Sequence, residues 1–194
     1  MKKVKTVTVL IVVLASIFAL SLKTYSQDRI PKSPRAEVTQ NIGLDGVITF
    51  DYSRPGVKGR KIWGELEPYG LHPGNKYSKD KPYPWRVGAD KNTTIESNKD
   101  LLVEGKKLPA GKYSIHMIPS EKKAWVVIFS KKNEEWGSYS YDQNEDALRI
   151  EVTPLKTGHM EWLFLGFEEL TDNSAIAFMH WEKLKVPFKI ELAK

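Results

Sequence analysis

Apolar and polar side chains alternate with a period of two through several separate stretches of this chain, a pattern that dictates half-buried strands. In residues 47–52, Ile48, Phe50 and Tyr52 share one face. Tyr113, Ile115 and Met117 alternate with Lys112, Ser114 and His116, so His116 is expected to face solvent. Leu148, Ile150 and Val152 repeat the pattern, as do Val186, Phe188, Ile190 and Leu192. Residues 125–129 and 162–167 are apolar on both faces and read as central strands. Turn chemistry punctuates these runs at Arg54-Pro55-Gly56, His72-Pro73-Gly74, Pro109-Ala110-Gly111 and Thr171-Asp172-Asn173. The expected fold is therefore all-β: a single-domain antiparallel β-sandwich, jelly-roll or Ig-like in its strand order.

The first 26 residues follow a different rule. Lys2, Lys3 and Lys5 precede an apolar run over residues 6–22, and Thr24-Tyr25-Ser26 offers a small-x-small cleavage site. That combination reads as a signal peptide over residues 1–26. The competing reading is a retained anchor, which wants about 20 apolar residues. Polar residues follow at once without a basic stop-transfer cluster, which favours cleavage and an extracytoplasmic location, periplasmic or secreted. The membrane is then met only through this segment, where it is left uncleaved. A short linker over residues 27–35 would lead into a sandwich over residues 36–194.

Losing Lys2, Lys3, Lys5 and Lys23 with the signal reduces the formal charge from +6 to about +2. No concentrated basic footprint remains, so nucleic acid is not an expected partner. The chain has no cysteine. Stability must rest on packing rather than disulfides, and thiol catalysis and thiolate metal sites are excluded. An acylated anchor, which needs a thiol, is excluded as well.

Residues 67–92 break the strand rhythm with Pro68, Gly70, Pro73, Gly74, Pro82, Pro84 and Gly88, and read as a long loop of the kind that often carries function. Around this loop the sequence resembles a known family. Ser33-Pro34-Arg35-Ala36, the run from Tyr52 to Arg60, Pro68-Tyr69-Gly70, the run from Trp85 to Asp90, and the run from Leu108 to Ser114 occur in the order of the domain-of-unknown-function family numbered 2911. Val87 stands where a Thr is common and Asp90 where an Asn is common, and residues 71–84 look like an insertion. The resemblance implies a secreted or lipid-anchored bacterial protein of Bacteroidetes type, with no agreed activity and no catalytic residues to carry over.

The strongest chemical constellation is Arg54, Lys58, Arg60 and Lys61 on a glycine-bearing turn, four cations in eight residues. Such a turn can converge backbone N–H groups on an anion, and guanidinium forks hold carboxylate or phosphate bidentately. Trp85, Arg86 and Asp90 could join it from the long loop. The bland alternative is that the arginines pin loops to the sandwich. Six tryptophans invite a carbohydrate reading; Trp125, Trp162 and Trp181 are expected in the core, and Trp63, Trp85 and Trp136 are the platform candidates. His180, on a face with Ile176 and Phe178, is expected as a hydrogen-bonded core residue. Asp142 to Asp146 alternates oxygen ligands but lacks the glycine and distal glutamate of a calcium loop, so neither metal nor cofactor is expected. Glu65 and Glu67 are expected on one strand face, and Gly137-Ser138-Tyr139-Ser140 is not a nucleophile elbow.

The resulting expectation is an exported envelope binding or structural module. Its ligand would be a small anionic molecule or a glycan, held at Arg54, Lys58, Arg60, Trp85, Arg86 and Asp90 without covalent chemistry. The alternatives are a cofactor-independent hydrolase of envelope polymers, with catalytic residues unassigned, and a protein-interaction domain without a pocket.

Overall fold

The computed structural model describes residues 31–193, so the expected signal segment and the first residues of the expected linker lie outside the described residues. The described chain is built from ten strands and one 3-10 turn, without an α-helix. Strands β1 (Arg35–Ile42), β2 (Gly46–Ser53), β3 (Thr93–Ser97), β6 (Gly111–Ile118), β7 (Trp125–Ser130) and β8 (Asp146–Val152) form a six-stranded sheet in the order β1-β2-β3-β6-β7-β8. The second sheet has the order β5-β4-β10-β9, from β4 (Leu101–Val103), β5 (Lys106–Leu108), β9 (Leu155–Glu168) and β10 (Ser174–Leu192). Every strand pairing is antiparallel.

The two sheets pack face to face. Phe50 on β2 stacks on Phe167 of β9 with centroids 4.8 Å apart, and Phe129 on β7 meets Phe188 of β10 edge-on at 5.9 Å. Ile48, Phe50 and Tyr52 are all buried in the shared core, as their alternation requires. At one end of the core, Trp63 presents its ring at steep angles to Trp125, Trp85 and Trp181, at 4.8, 5.5 and 5.8 Å. Each such aromatic pair is worth about 0.5–1.5 kcal/mol beyond simple burial.

Strand β10 changes the parity of its buried face midway. Ala175, Ala177, Met179 and Trp181 point into the core, but so do Val186, Phe188 and Ile190. The register shifts around Glu182, which has φ of 55°, supply the irregularity that flips the pleat. His180 consequently lies on the outer face, half-buried, with Nε2 3.0 Å from the Gly158 carbonyl oxygen. It is hydrogen-bonded, but it is not the core residue that its apolar neighbours suggested.

Strand β9 departs from expectation for an instructive reason. Its apolar-on-both-faces stretch marked it as central, yet it ends the four-stranded sheet. Its outer face is covered by cations instead of a sheet: Lys58 stands 5.4 Å over Trp162, Arg54 5.8 Å over Phe164, and Lys185 4.3 Å over Phe178 of neighbouring β10. Trp162 is therefore only partly buried. The free edge is covered by the chain leaving β2: Leu163 N–H donates to the Pro55 carbonyl at 3.0 Å and Val57 N–H to the Glu161 carbonyl at 2.8 Å. This strap joins the two sheets and blunts an edge open to mispairing.

Strand β6 gives the second correction. Tyr113, Ile115 and Met117 face the core, but Ser114 and His116 on the opposite face are also buried. The loop after β7 folds over that face, bringing Ser138 Oγ to 2.9 Å from His116 Nδ1 and the Tyr141 ring to 5.4 Å. Burial, and secondarily the charge of Arg86, lower the His116 pKa to about 4, with Glu135 opposing. The imidazole is neutral in the folded protein above that value. Protonation in the unfolded chain near pH 6.5 therefore withdraws stability as pH falls, starting near 6.5 and ending near 4.

Two outcomes test this architecture. Arg54→Ala removes the guanidinium that donates to the Leu163 carbonyl at 2.9 Å. It should lower unfolding free energy by about 1–3 kcal/mol in urea titrations, whereas Lys61→Ala, at an exposed ion pair, should change it by less than about 0.5 kcal/mol. His116→Gln should flatten the acid limb of the stability profile; the wild type should lose up to about 3 kcal/mol more than the variant between pH 6.5 and 4.

Candidate functional site

The strap, a tight turn and the long loop converge beside the tryptophan cluster. After Lys58, at φ of 49°, the chain enters a turn in which Ile62 carbonyl accepts from Glu67 N–H at 2.9 Å and Gly64 N–H donates to the Glu67 carbonyl at 2.9 Å. Gly64 has φ of 85° and lies under the Tyr69 ring, where a Cβ would come within 2.9 Å. Glu65 and Glu67 therefore do not share a strand face: Glu65 is exposed in the turn and Glu67 is buried.

The long loop is ordered by its own backbone. His72 and Tyr83 form an antiparallel bridge with N–H···O distances of 2.8 and 3.2 Å, and their rings stack at 5.2 Å and 2°. Asn75 Nδ2 donates to the Tyr83 hydroxyl at 2.9 Å. Trp85 exchanges both backbone hydrogen bonds with Met117 at the end of β6, each at 2.9 Å. Beyond it, Val87 and Asp90 adopt φ of 54° and 58°, and Gly88 passes so close to the Ser53 carbonyl that a Cβ would sit 2.8 Å from its oxygen. Glycine is required there.

These segments enclose a cavity of about 520 Å³. Lys58, Arg60, Arg86 and Asp90 line it, together with Glu67 and His72. Lys32 adds a fourth cation, and the walls include Tyr83, Trp85 and Trp181. Arg60 is set by two local carbonyls, Nε to Val57 at 3.1 Å and Nη2 to Gly56 at 2.6 Å. Arg86 lies over the Tyr139 ring at 5.1 Å and donates to the Asp90 carbonyl at 3.0 Å and the Tyr139 hydroxyl at 3.2 Å. Each guanidinium thus commits two of its N–H groups to protein oxygens, and the group has five.

Sequence reasoning paired Glu67 with Glu65; the structure pairs it with His72 instead. His72 Nε2 lies 2.8 Å from Glu67 Oε2, with little of either side chain exposed. Burial pushes the Glu67 carboxyl above its usual range, against the lowering effects of the His72 hydrogen bond and charge and of the Arg86 and Arg60 charges. A carboxyl raised by burial and hydrogen-bonded to an imidazole gives the cavity a paired acid and base within proton-transfer distance. No local motif announces the pair, because Pro68 to Leu71 separates the two residues and only the His72–Tyr83 bridge turns the ring back.

Of the six residues nominated from sequence, Lys58, Arg60, Trp85, Arg86 and Asp90 line this one cavity and Arg54 does not. Arg54 goes to the Leu163 carbonyl and the Phe164 face, on the outer side of β9. Trp85 is 2 % exposed and Trp63 8 %, so both belong to the core and neither is an open platform; Trp125 and Trp181 are buried as expected. Trp136, at 60 %, stays exposed. Asp146, once weighed as an oxygen ligand, is engaged through Oδ2 by Arg149 at 2.6 Å and Tyr141 at 2.7 Å. Among the described residues, no group of three or more His, Cys, Asp or Glu side chains is placed to hold a metal ion.

Fold and site together define an all-β sandwich with a cation-rich cavity at one end of its core. The chain belongs to the family described as "Protein of unknown function (DUF2911)", whose model matches residues 33–190. No curated protein matches it, and no solved structure does.

Replacing Glu67 by Gln tests the electrostatics of the pair. Because folding raises the Glu67 pKa, the ionised carboxylate disfavours the folded state; that penalty begins to shrink as pH falls through the raised value and is gone below the ordinary glutamate value of the unfolded chain. Glu67→Gln should be more stable than wild type at pH 8, with the advantage shrinking to nothing near pH 4, read by melting temperature across pH.

Proposed function

We propose that the protein is an extracytoplasmic binding module whose cavity takes a small anionic molecule. The observation that carries this reading is the convergence of Lys32, Arg60 and Arg86 on one cavity that holds two carboxylates, Glu67 and Asp90; Lys58 also lines it but sets its ammonium over the Trp162 ring. The cations of the lining outnumber its carboxylates. At about 520 Å³ the space falls within the usual range for small-molecule sites. The unassigned N–H groups of Arg60 and Arg86 suit carboxylate or phosphate oxygens, and Tyr83 supplies an aromatic wall. The extracytoplasmic location rests on the basic-then-apolar pattern of residues 1–26. Among the described residues, no helix is long and apolar enough to cross a membrane.

A hydrolase acting on envelope polymers is the second reading, and one observation favours it: the Glu67–His72 pair lies in the same cavity as the cations. A carboxylate that orients an imidazole is an arrangement able to activate water.

Thermal-shift and calorimetric titrations with phosphate, glycerol phosphate, citrate and acetate, against neutral glycerol, test the binding reading. A ligand specific for the folded state adds about 2.7 kcal/mol at a hundred times its Kd. At least one anion should bind saturably and more weakly as salt rises, and Arg60→Gln or Arg86→Gln should weaken it about tenfold or more. Stabilisation by none of these anions would refute the proposal. Glu67→Gln separates the two readings: a binding module keeps anion affinity and has no turnover to lose.

A further inference from the structure

A second concavity, of about 460 Å³, lies on the outer face of the six-stranded sheet and shares no lining residue with the cavity just described. Its floor is polar: Asp51 on β2 stands opposite Thr94 on β3, and Lys112 of β6 lies further along. Arg35 on β1, 2.5 Å from Asp51, closes one side. The other side is the segment carrying Asn133 and Trp136.

Two features set this groove apart. Its formal charges balance, Arg35, Lys91 and Lys112 against Asp51, Glu134 and Glu135, whereas the first cavity is cationic. Among the described residues, its only aromatic lining residue is Trp136, the most exposed tryptophan described. The backbone leading into Trp136 is tied down through its neighbours Glu135 and Asn133. The Glu135 carbonyl accepts from Asn92 N–H at 3.2 Å, the Glu135 carboxylate takes Ser140 and pairs with Lys132 at 3.3 Å, and Asn133 Nδ2 donates to the Lys112 carbonyl at 2.8 Å. A flat, exposed indole carried on an anchored segment beside a neutral groove of amide, carboxylate and ammonium groups matches a molecule with one apolar face and a rim of hydroxyls. A protein partner would call for a contiguous apolar patch, and charged side chains border Trp136 instead.

We propose that this groove is a glycan-binding site in which Trp136 stacks on a neutral pyranose ring while Asp51, Glu134 and Asn133 hydrogen-bond its hydroxyls. The site is independent of the anion cavity. The test is calorimetric titration of the protein with five hexasaccharides (cello-, xylo-, laminari-, manno- and chitohexaose), paired with acrylamide quenching of tryptophan fluorescence. At least one sugar should bind saturably and protect Trp136 from quenching. Trp136→Ala should weaken it about tenfold or more, Trp136→Phe should retain most of the affinity, and Arg60→Gln should leave it unchanged. Both position-136 variants alter an exposed side chain and should melt like wild type. Failure of all five sugars to bind would overturn the proposal, as would undiminished binding by Trp136→Ala. Loss of sugar binding in Arg60→Gln would place the sugar in the other cavity and overturn it equally.

Discussion

The strap between β2 and β9 is the constraint on which the rest of this molecule depends. Pro55 and Val57 complete the backbone pairing that β9 would otherwise present to solvent. Arg54 reinforces it from the side by donating to the Leu163 carbonyl. The pairing holds the two sheets together at one end, so the turn that follows is delivered to a defined place. Lys58 and Arg60 reach the cavity because Val57 is hydrogen-bonded to Glu161, not because their own side chains seek it. The same strap lays Arg54 and Lys58 on the aromatic faces of Phe164 and Trp162, shielding an apolar surface with cations that keep their heads wet.

Around the cavity the protein places charge where burial opposes it. Glu67 sits beside His72 and within the field of Arg60 and Arg86, yet burial still dominates and raises its pKa. That balance distinguishes it from an ordinary surface carboxylate, and it gives the cavity a proton-exchanging group among fixed cations. His116, also within the field of Arg86, is the complementary case: a histidine sealed under a loop and kept neutral. The groove at Trp136 has neither feature. Its balanced charges and exposed indole make it chemically distinct from the cation-rich cavity.

The sandwich was legible wherever one face of a strand met water, as in β2, where Ile48, Phe50 and Tyr52 are all buried. Legibility failed where something other than a sheet covered the second face. Lysine and arginine side chains cover β9, so its composition imitated a central strand; the loop bearing Ser138 and Tyr141 covers His116, so its alternation imitated a solvent position. For the site, the cation-rich turn and the segment from Trp85 to Asp90 do converge, but Arg54 is diverted and Trp85 is turned inward. Glu67 was read as the partner of Glu65, and its pairing with His72 was invisible because it depends on a bridge between residues eleven apart, 72 and 83.

By itself the sequence determined the strand-forming periods, the turns between them, and the absence of any thiol from the chemistry, because these follow from local sterics and residue identity. Which cations face a cavity, which tryptophan remains exposed, and which carboxyl is buried beside an imidazole were decided only by tertiary structure. The reason is physical: a side chain's role depends on what covers it, and here the covering groups come from strap and loop residues distant in sequence, such as Glu161 against Val57 and Ser138 against His116.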